Sequence, residues 1–549
     1  MRKSVRAFVE DRPTATFWVF AGVHGAVSTL APALGFSNLP LDVVEGLAWS
    51  RSLEFGFHKH PAGAAAVLAL IDRFGGGNYW LVYAASQAAV VATFWAVYML
   101  ARSIVGSTAA VLSTVMLAGV HYYSIASASF NPDVVLSPLW AWFALSVWRA
   151  VGEGRKGWWI VVGLTLGLMV HAKYTGALLA VSVALWLVSC EKRGEVLTSP
   201  FPWLAVLGAT AIAAPHLYWI HIHHYETLKY VSFDRSPVTS WGQSVLVTIN
   251  FVLAQVGQHA GFIAIALAAA LPLSRCRPAM PVWRIKVTPV QPLAHRFVLA
   301  VAFGPLAIAV LAQALANFQF RQMWGAPFFA FSGLALVVLL RDRLMLRNMP
   351  FPFVVAIIMI IGPPIGNVLQ YQFPSLLVPN GRMIYPSEVV AARMLELYRH
   401  ETGQDPRIVV AGVWDGGAIA LHASGRPLVM INGDPRSTSG VTSELLSRRG
   451  ALVVWRAKDG EAPEALLNHA KSASRHDPTV WTRPILAKLK PFGRESFEHR
   501  DAGKSGQPPI QLYWAILSAE GALSGNPPDK RAYFETLGTV MPPIFGRLE

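Results

Sequence analysis

The sequence predicts a polytopic α-helical membrane protein of about eleven spans, followed by a small α/β domain. Three observations carry this expectation. Of its 549 residues only 14% are charged and 54% are hydrophobic, whereas a soluble protein carries about 25% charged residues. Apolar stretches of about 16 to 30 residues recur along the first 372 positions, and about 20 such residues cross a bilayer as a helix. Beyond Tyr371 the apolar runs shorten and become β-branched, which is the signature of strands.

In order, the apolar stretches fall near 15–35, 79–104, 108–127, 132–151, 158–173, 175–190, 200–220, 244–274, 296–315, 325–340 and 351–372. The basic N-terminus, MRKSVRAFVEDRP, precedes the first without a clear cleavage site, so that run reads as a retained anchor. Lys and Arg number 46 against 31 Asp and Glu. Such a surplus would suit nucleic acid, but 25 of the basic and 13 of the acidic residues lie in positions 1–379, leaving 21 and 18 for 380–549. The basicity therefore belongs to the membrane part, where basic loops orient helices, and no nucleic-acid partner is expected. With the N-terminus cytoplasmic, eighteen of those 25 fall in inner loops and seven in outer ones. This places the C-terminal domain on the outer side of the membrane, and both cysteines, Cys190 and Cys276, on the reducing side.

The domain expected over 380–549 alternates the strand-like runs 407–413, 427–431 and 451–455 with helical segments such as 387–403, so a parallel sheet is expected. Residues from about 500 onward, apart from the strand-like QLYWAIL, read as loosely ordered. Asp415 and Asp434 each follow a strand. They would share the carboxyl edge of the sheet, where ligands of such sheets bind, so either a part in acceptor selection or a purely structural role is open to them. Gly416-Gly417 suits a tight turn rather than a nucleotide loop.

Charged groups at mid-membrane are costly, so chemistry is expected at an edge. The first outer segment, about 40 residues long, carries Asp42 and Glu45 three apart on one helical face, then His58, Lys59 and His60. A carboxylate pair followed by cations suits a site that deprotonates a hydroxyl and holds a phosphate, though an interfacial helix with solvated charges gives the same pattern. In FNPDVV, Asp133 either stabilises free N–H groups at a helix start or joins the chemistry. Lys173 and Arg321 lie near outer helix ends and are either snorkelling cations or phosphate ligands. His221, His223 and His224 invite a zinc reading. Their spacing is not the i, i+4 pair of metal helices, so no metal is assigned and use of a divalent ion stays open.

The stretches DVVEGLAWSRSLEFGFHKHP, FNPDVVLSPLWAWFALSVWRA and GLTLGLMVHAKYTGALL, in this order, resemble the bacterial GT-C-fold glycosyltransferases. More closely they resemble the dolichyl-phosphate-mannose protein mannosyltransferase superfamily, with its lipid A aminoarabinose and lipopolysaccharide galacturonosyl transferases. The resemblance covers about residues 10 to 375, and the 425–455 stretch resembles the appended soluble domain of one bacterial branch. It implies a GT-C membrane domain over 1–379 that moves a sugar, with inversion, from a polyprenyl-phosphate donor to a hydroxyl of an envelope lipid, glycan or protein on the outer face. It also implies roles: Asp42 as the base, Asp133 as its assistant and Lys59 at the donor phosphate. Phe57 and Ala62-Gly63 depart from the family's Y-x-K-x-P-P-L, and Glu45 stands three residues after Asp42 where many members have an adjacent acidic pair. Arg321 and then Lys173 are the further phosphate ligands expected, with membrane lipids as surroundings. The rival class is a transporter or flippase of a lipid-linked sugar, disfavoured because no acid falls near a midplane.

Overall fold

The computed structural model describes residues 2–52, 54–233, 240–270, 283–316, 319–340, 345–346, 351–372, 384–434, 437–438, 440–456, 489–500 and 508–519. Arg275, Cys276, Arg277, Asp234, Arg235, Arg341, Asp342, Arg343, Arg347 and most of the Gly/Pro-rich tail lie outside them. The chain divides into two compact units, Met1–Gly46 with Glu54–Met383, and Leu47–Leu53 with Ile384–Glu549.

The first unit is helical, and the chain is a multi-pass membrane protein. Among the described residues six helices are long and apolar enough to cross a membrane: Pro13–Gly35, Trp80–Val105, Pro132–Gly152, Pro200–Ile222, Pro292–Leu315 and Phe353–Gln370. Trp158–Ala172 and Gly176–Ser189 are apolar but shorter. Three of the expected spans are not straight. Ser107–Gly119 with His121–Ala128 bends by 82°, Trp241–Gln258 with Ala260–Ala268 by 49°, and Gln322–Phe329 with Ser332–Leu340 by 53°. Counting each bent pair as one span gives nine. The causes are local: a 3₁₀ turn at Met116–Gly119, and Pro327 inside another 3₁₀ stretch.

Polar backbone freed at such breaks must find partners within the protein. Side chains near the three breaks bond from one to another. Tyr122 Oη donates to the Gln322 carbonyl at 2.6 Å, Gln255 Nε2 donates to the same oxygen at 3.0 Å, and His259 Nε2 lies 3.1 Å from Ser332 Oγ. Aromatic pairs fill the interior, among them Phe17 stacked on Tyr98 and Trp140 on Phe328. Leu34, Ile160 and Leu315 stand 77–84% exposed on span surfaces, as lipid-facing residues would. A short antiparallel pair joins β1 (Trp283–Arg284) to β2 (Met345–Leu346).

The second unit is built on a five-stranded sheet of β3 (Ile408–Ala411), β4 (Leu428–Ile431), β5 (Ala451–Trp455), β6 (Leu489–Phe497) and β7 (Ile510–Leu517), in spatial order β4-β3-β5-β7-β6. Strands β4, β3 and β5 are parallel, but β7 and β6 add antiparallel, so the sheet is mixed rather than parallel. Alternation along each strand sends Val409, Leu452 and Trp514 to one face and Val410, Val453 and Ala515 to the other. Helices Ser387–Thr402 and Val413–His422 cover the first face, and Ser443–Arg449 contributes Leu446 to the second.

Candidate active site

Helix Leu41–Ser50 carries Asp42 in its first turn and Glu45 one turn later. Beyond it, residues 54–61 form a tight turn closed by a bridge between Gly56 and Pro61 and by the Phe57 N–H donating to the His60 carbonyl at 2.9 Å. The turn is pinned at its base. His216 Nδ1 lies 2.8 Å from the Phe55 carbonyl, and Trp219 Nε1 donates to Glu54 Oε2 at 3.0 Å. His216 also meets the Tyr174 hydroxyl at 3.0 Å, which donates to Thr227 Oγ1 at 2.9 Å.

On this frame Lys59 Nζ donates to Glu45 Oε1 at 2.6 Å. Glu45 is only 8% exposed, and burial raises its carboxyl above the usual range, with Lys59 pulling it down and Asp42 adding to the rise. A second pair lies deeper. Lys173 Nζ donates to Asp133 Oδ2 at 2.5 Å, both residues buried, and the ammonium sits 5.2 Å from the Trp324 ring. Asp133 does not cap its helix. Asn131 does, its side-chain oxygen accepting from the Asp133 and Val134 N–H groups, which leaves the Asp133 carboxylate for Lys173. Among the described residues Asp133 Oδ1 has no hydrogen-bond partner.

Asp42 is half-buried and forms no ion pair among the described residues. Ser129 Oγ and Asn131 Nδ2 approach its Oδ2, both at 3.5 Å, and its charge reaches both Glu45 and Asp133. Of the three carboxylates, two are tied to lysines and Asp42 is held only by long neutral hydrogen bonds, so Asp42 can still accept a proton from a bound hydroxyl.

Arg321 is exposed and precedes the helix Gln322–Phe329 that brings Trp324 to Lys173. Its charge, with those of Lys173, Lys59 and His58, reaches His60. Burial, with these cations adding to it, pushes His60 well below the usual imidazole range. His60 is therefore neutral at physiological pH and serves as a hydrogen-bonding group, not as the third cation of an HKH cluster. Sequence reasoning missed His60's neutrality, Trp324, and the Tyr122, Gln255 and Gln322 contacts; only Trp324, next to Arg321 in FRQMWG, had a nearby signal.

The three loop histidines do not converge. His221 Nδ1 faces the Tyr225 hydroxyl at 3.2 Å, His223 Nδ1 faces the Trp219 carbonyl at 2.9 Å with its ring stacked on Trp219, and His224 holds a φ of 51°. Among the described residues no group of three or more His, Cys, Asp or Glu is arranged to hold a metal ion. In the second unit the carboxyl edge is occupied by its own side chains. Tyr385 Oη donates to Asp415 Oδ1 at 2.7 Å, and Arg456, directly after β5, donates through Nη2 and Nε at 2.8 and 3.0 Å. Asp415 is thus buried and engaged by Tyr385 and Arg456, and the edge does not present it to a ligand. Asp434 is buried.

Residues 59–219 match the family model described as dolichyl-phosphate-mannose-protein mannosyltransferase. No curated protein matches the whole sequence by direct comparison. Among solved structures, ArnT from Cupriavidus metallidurans bound to undecaprenyl phosphate superposes with a TM-score of 0.52 at 14% identity, over 93% of this chain and 100% of that one. The apo ArnT structure gives 0.47 at 15% identity over 94% and 100%. The archaeal oligosaccharyltransferase AglB from Archaeoglobus fulgidus gives 0.41 at 13% over 95% and 75%. The fold is that of the first of these, the GT-C fold that the order of sequence motifs leads one to expect.

Proposed function

We propose that this protein is a membrane glycosyltransferase that moves a sugar from a polyprenyl-phosphate carrier to a hydroxyl of an envelope acceptor, with Asp42 as the base. The observation that carries this reading is the meeting of Asp42, Glu45 and Asp133 with Lys59, Lys173 and Arg321 in one place, with Asp42 alone among the acids not paired to a lysine. The family match over residues 59–219 supports sugar transfer, and the undecaprenyl phosphate bound to ArnT supports the class of carrier. Sugar phosphates are good leaving groups, so the reaction needs alignment, a base and cations rather than a strong acid.

In the reaction the acceptor hydroxyl gives its proton to Asp42 as its oxygen forms a bond to the anomeric carbon. The bond from that carbon to the phosphate oxygen breaks, and the electron pair leaves with the carrier phosphate. Lys59 and Arg321 stabilise the growing charge there, while Lys173, closed against Asp133 and Trp324, holds Asp133 in place. The acceptor lies on the periplasmic face by the charge asymmetry of the loops. Purified protein with a radiolabelled polyprenyl-phosphate sugar and an envelope lipid extract tests the reading. Transfer is expected, and Asp42→Asn is expected to lower it about 10²–10⁴-fold. Full transfer by that variant would remove Asp42 from the mechanism.

A further inference from the structure

One N–H of the Lys59 ammonium goes to Glu45 at 2.6 Å, and a carrier phosphate would compete with that carboxylate for the same single positive charge. The two lysine pairs differ in how readily they open. The Lys173 side chain is 6% exposed and lies against Trp324, whereas the Lys59 side chain is 28% exposed on a turn. Lys59 is therefore the cation free to change partner. A carrier phosphodiester brings one fixed negative charge and does not itself titrate near neutral pH. Once Lys59 turns to it, Glu45 is left 8% exposed with Asp42 one helical turn away and, among the described residues, no other cation acting on it. A buried carboxylate in that position goes neutral rather than stay charged.

Building on the transfer reading above, we infer that donor binding moves Lys59 from Glu45 to the carrier phosphate and that Glu45 takes up a proton from solvent as it does so. Donor binding is then proton-coupled. Burial already raises the Glu45 carboxyl and Lys59 holds it down, so departure of Lys59 raises it further in the complex than in the free protein. By linkage, donor affinity strengthens as pH falls through that interval, by at most about tenfold per pH unit for one proton. Proton uptake also removes the like charge beside Asp42.

The test is calorimetric titration of the full chain in lipid nanodiscs with undecaprenyl methyl phosphate, a phosphodiester with no sugar, in buffers of different ionisation enthalpy between about pH 5 and 8. The wild type is expected to bind with uptake approaching one proton. Glu45→Gln, neutral in both states, is expected to bind with none and with an affinity independent of pH. Lys59→Gln, in which Glu45 has already lost its partner, is expected to bind more weakly and also without uptake, and it serves if Glu45→Gln fails to fold. Binding without uptake in the wild type, or equal uptake in wild type and variants, overturns the inference and leaves the transfer reading standing. No binding of the probe at all overturns the carrier reading instead.

Discussion

Asp42, Glu45 and Asp133 are chemically alike, and their surroundings separate them. Lys173 and Asp133 form a buried pair, and removing one member of such a pair strands the other's charge. Lys173→Met is therefore expected to destabilise the membrane unit by about 3–5 kcal/mol, seen as a drop in the midpoint of thermal inactivation. Lys173→Met combined with Asp133→Leu should recover most of that stability, because no charge is left buried, without recovering transfer. Stability lost equally in the single and double variants would mean that packing against Trp324, not charge, holds the site. For Asp42→Asn the split of constants matters as much as the rate: kcat falls while donor Kd holds, since the carboxylate acts on the acceptor hydroxyl and not on the carrier phosphate.

At the scale of elements, the frame behind the site depends on close helix packing. Helix Trp158–Ala172, whose end leads into Lys173, presents Gly163 and Gly167 four apart to helix Pro200–Ile222, which carries His216 and Trp219. A Cβ on Gly163 would lie 2.7 Å from the Ala205 carbonyl oxygen, and one on Gly167 2.9 Å from that of Ala209. Small residues at such spacing let helix backbones approach in a membrane. Gly167→Leu is expected to push the helices apart and, through Tyr174 and His216, to loosen the turn that carries Lys59. The expected readout is a weaker donor Kd with a lower inactivation midpoint; an unchanged midpoint would show that the contact yields.

At the scale of the molecule, helix Leu41–Ser50 begins in one compact unit and ends in the other. Within the second unit, Trp49 Nε1 donates to the Ser437 carbonyl at 3.2 Å. Arg51 Nη1 donates to the carbonyls of Ala420 and Pro427 at 3.3 and 3.0 Å, a cation near the end of helix Val413–His422 where its dipole is negative. A chain ending before Ile384 strips both residues of these acceptors. Truncation is therefore expected to lower kcat through the helix that starts with Asp42, and Trp49→Phe, which loses one N–H bond, to lower it less. Equal kcat in full-length and truncated protein would show that the helix holds its own position. The first unit is thus not expected to work as a free-standing enzyme, although its apolar pattern suggests a self-contained domain.

Much of this was determined by the sequence alone, because membrane spans and sheet strands answer to local rules. Apolar length placed the spans of the first unit, though not their three bends or the short helix Gly63–Phe74, and short apolar β-branched runs placed β3, β4 and β5, with the strand-like QLYWAIL placing β7. Asp42 and Glu45 stood out through one-turn spacing, which any helix converts into a shared face. The tertiary structure decided what spacing cannot reach. Lys59 and Glu45 are fourteen residues apart, and Lys173 and Asp133 forty; only the fold determines which lysine neutralises which acid. The fold also decides which groups meet near the bends, where Tyr122 and Gln255 both donate to the Gln322 carbonyl. The closed edge at Asp415 needed Tyr385 and Arg456, thirty and forty-one residues away. Charge state follows the same division: sequence shows which groups can carry a proton, while burial and the neighbouring ions make His60 neutral and leave Asp42 the unpaired carboxylate.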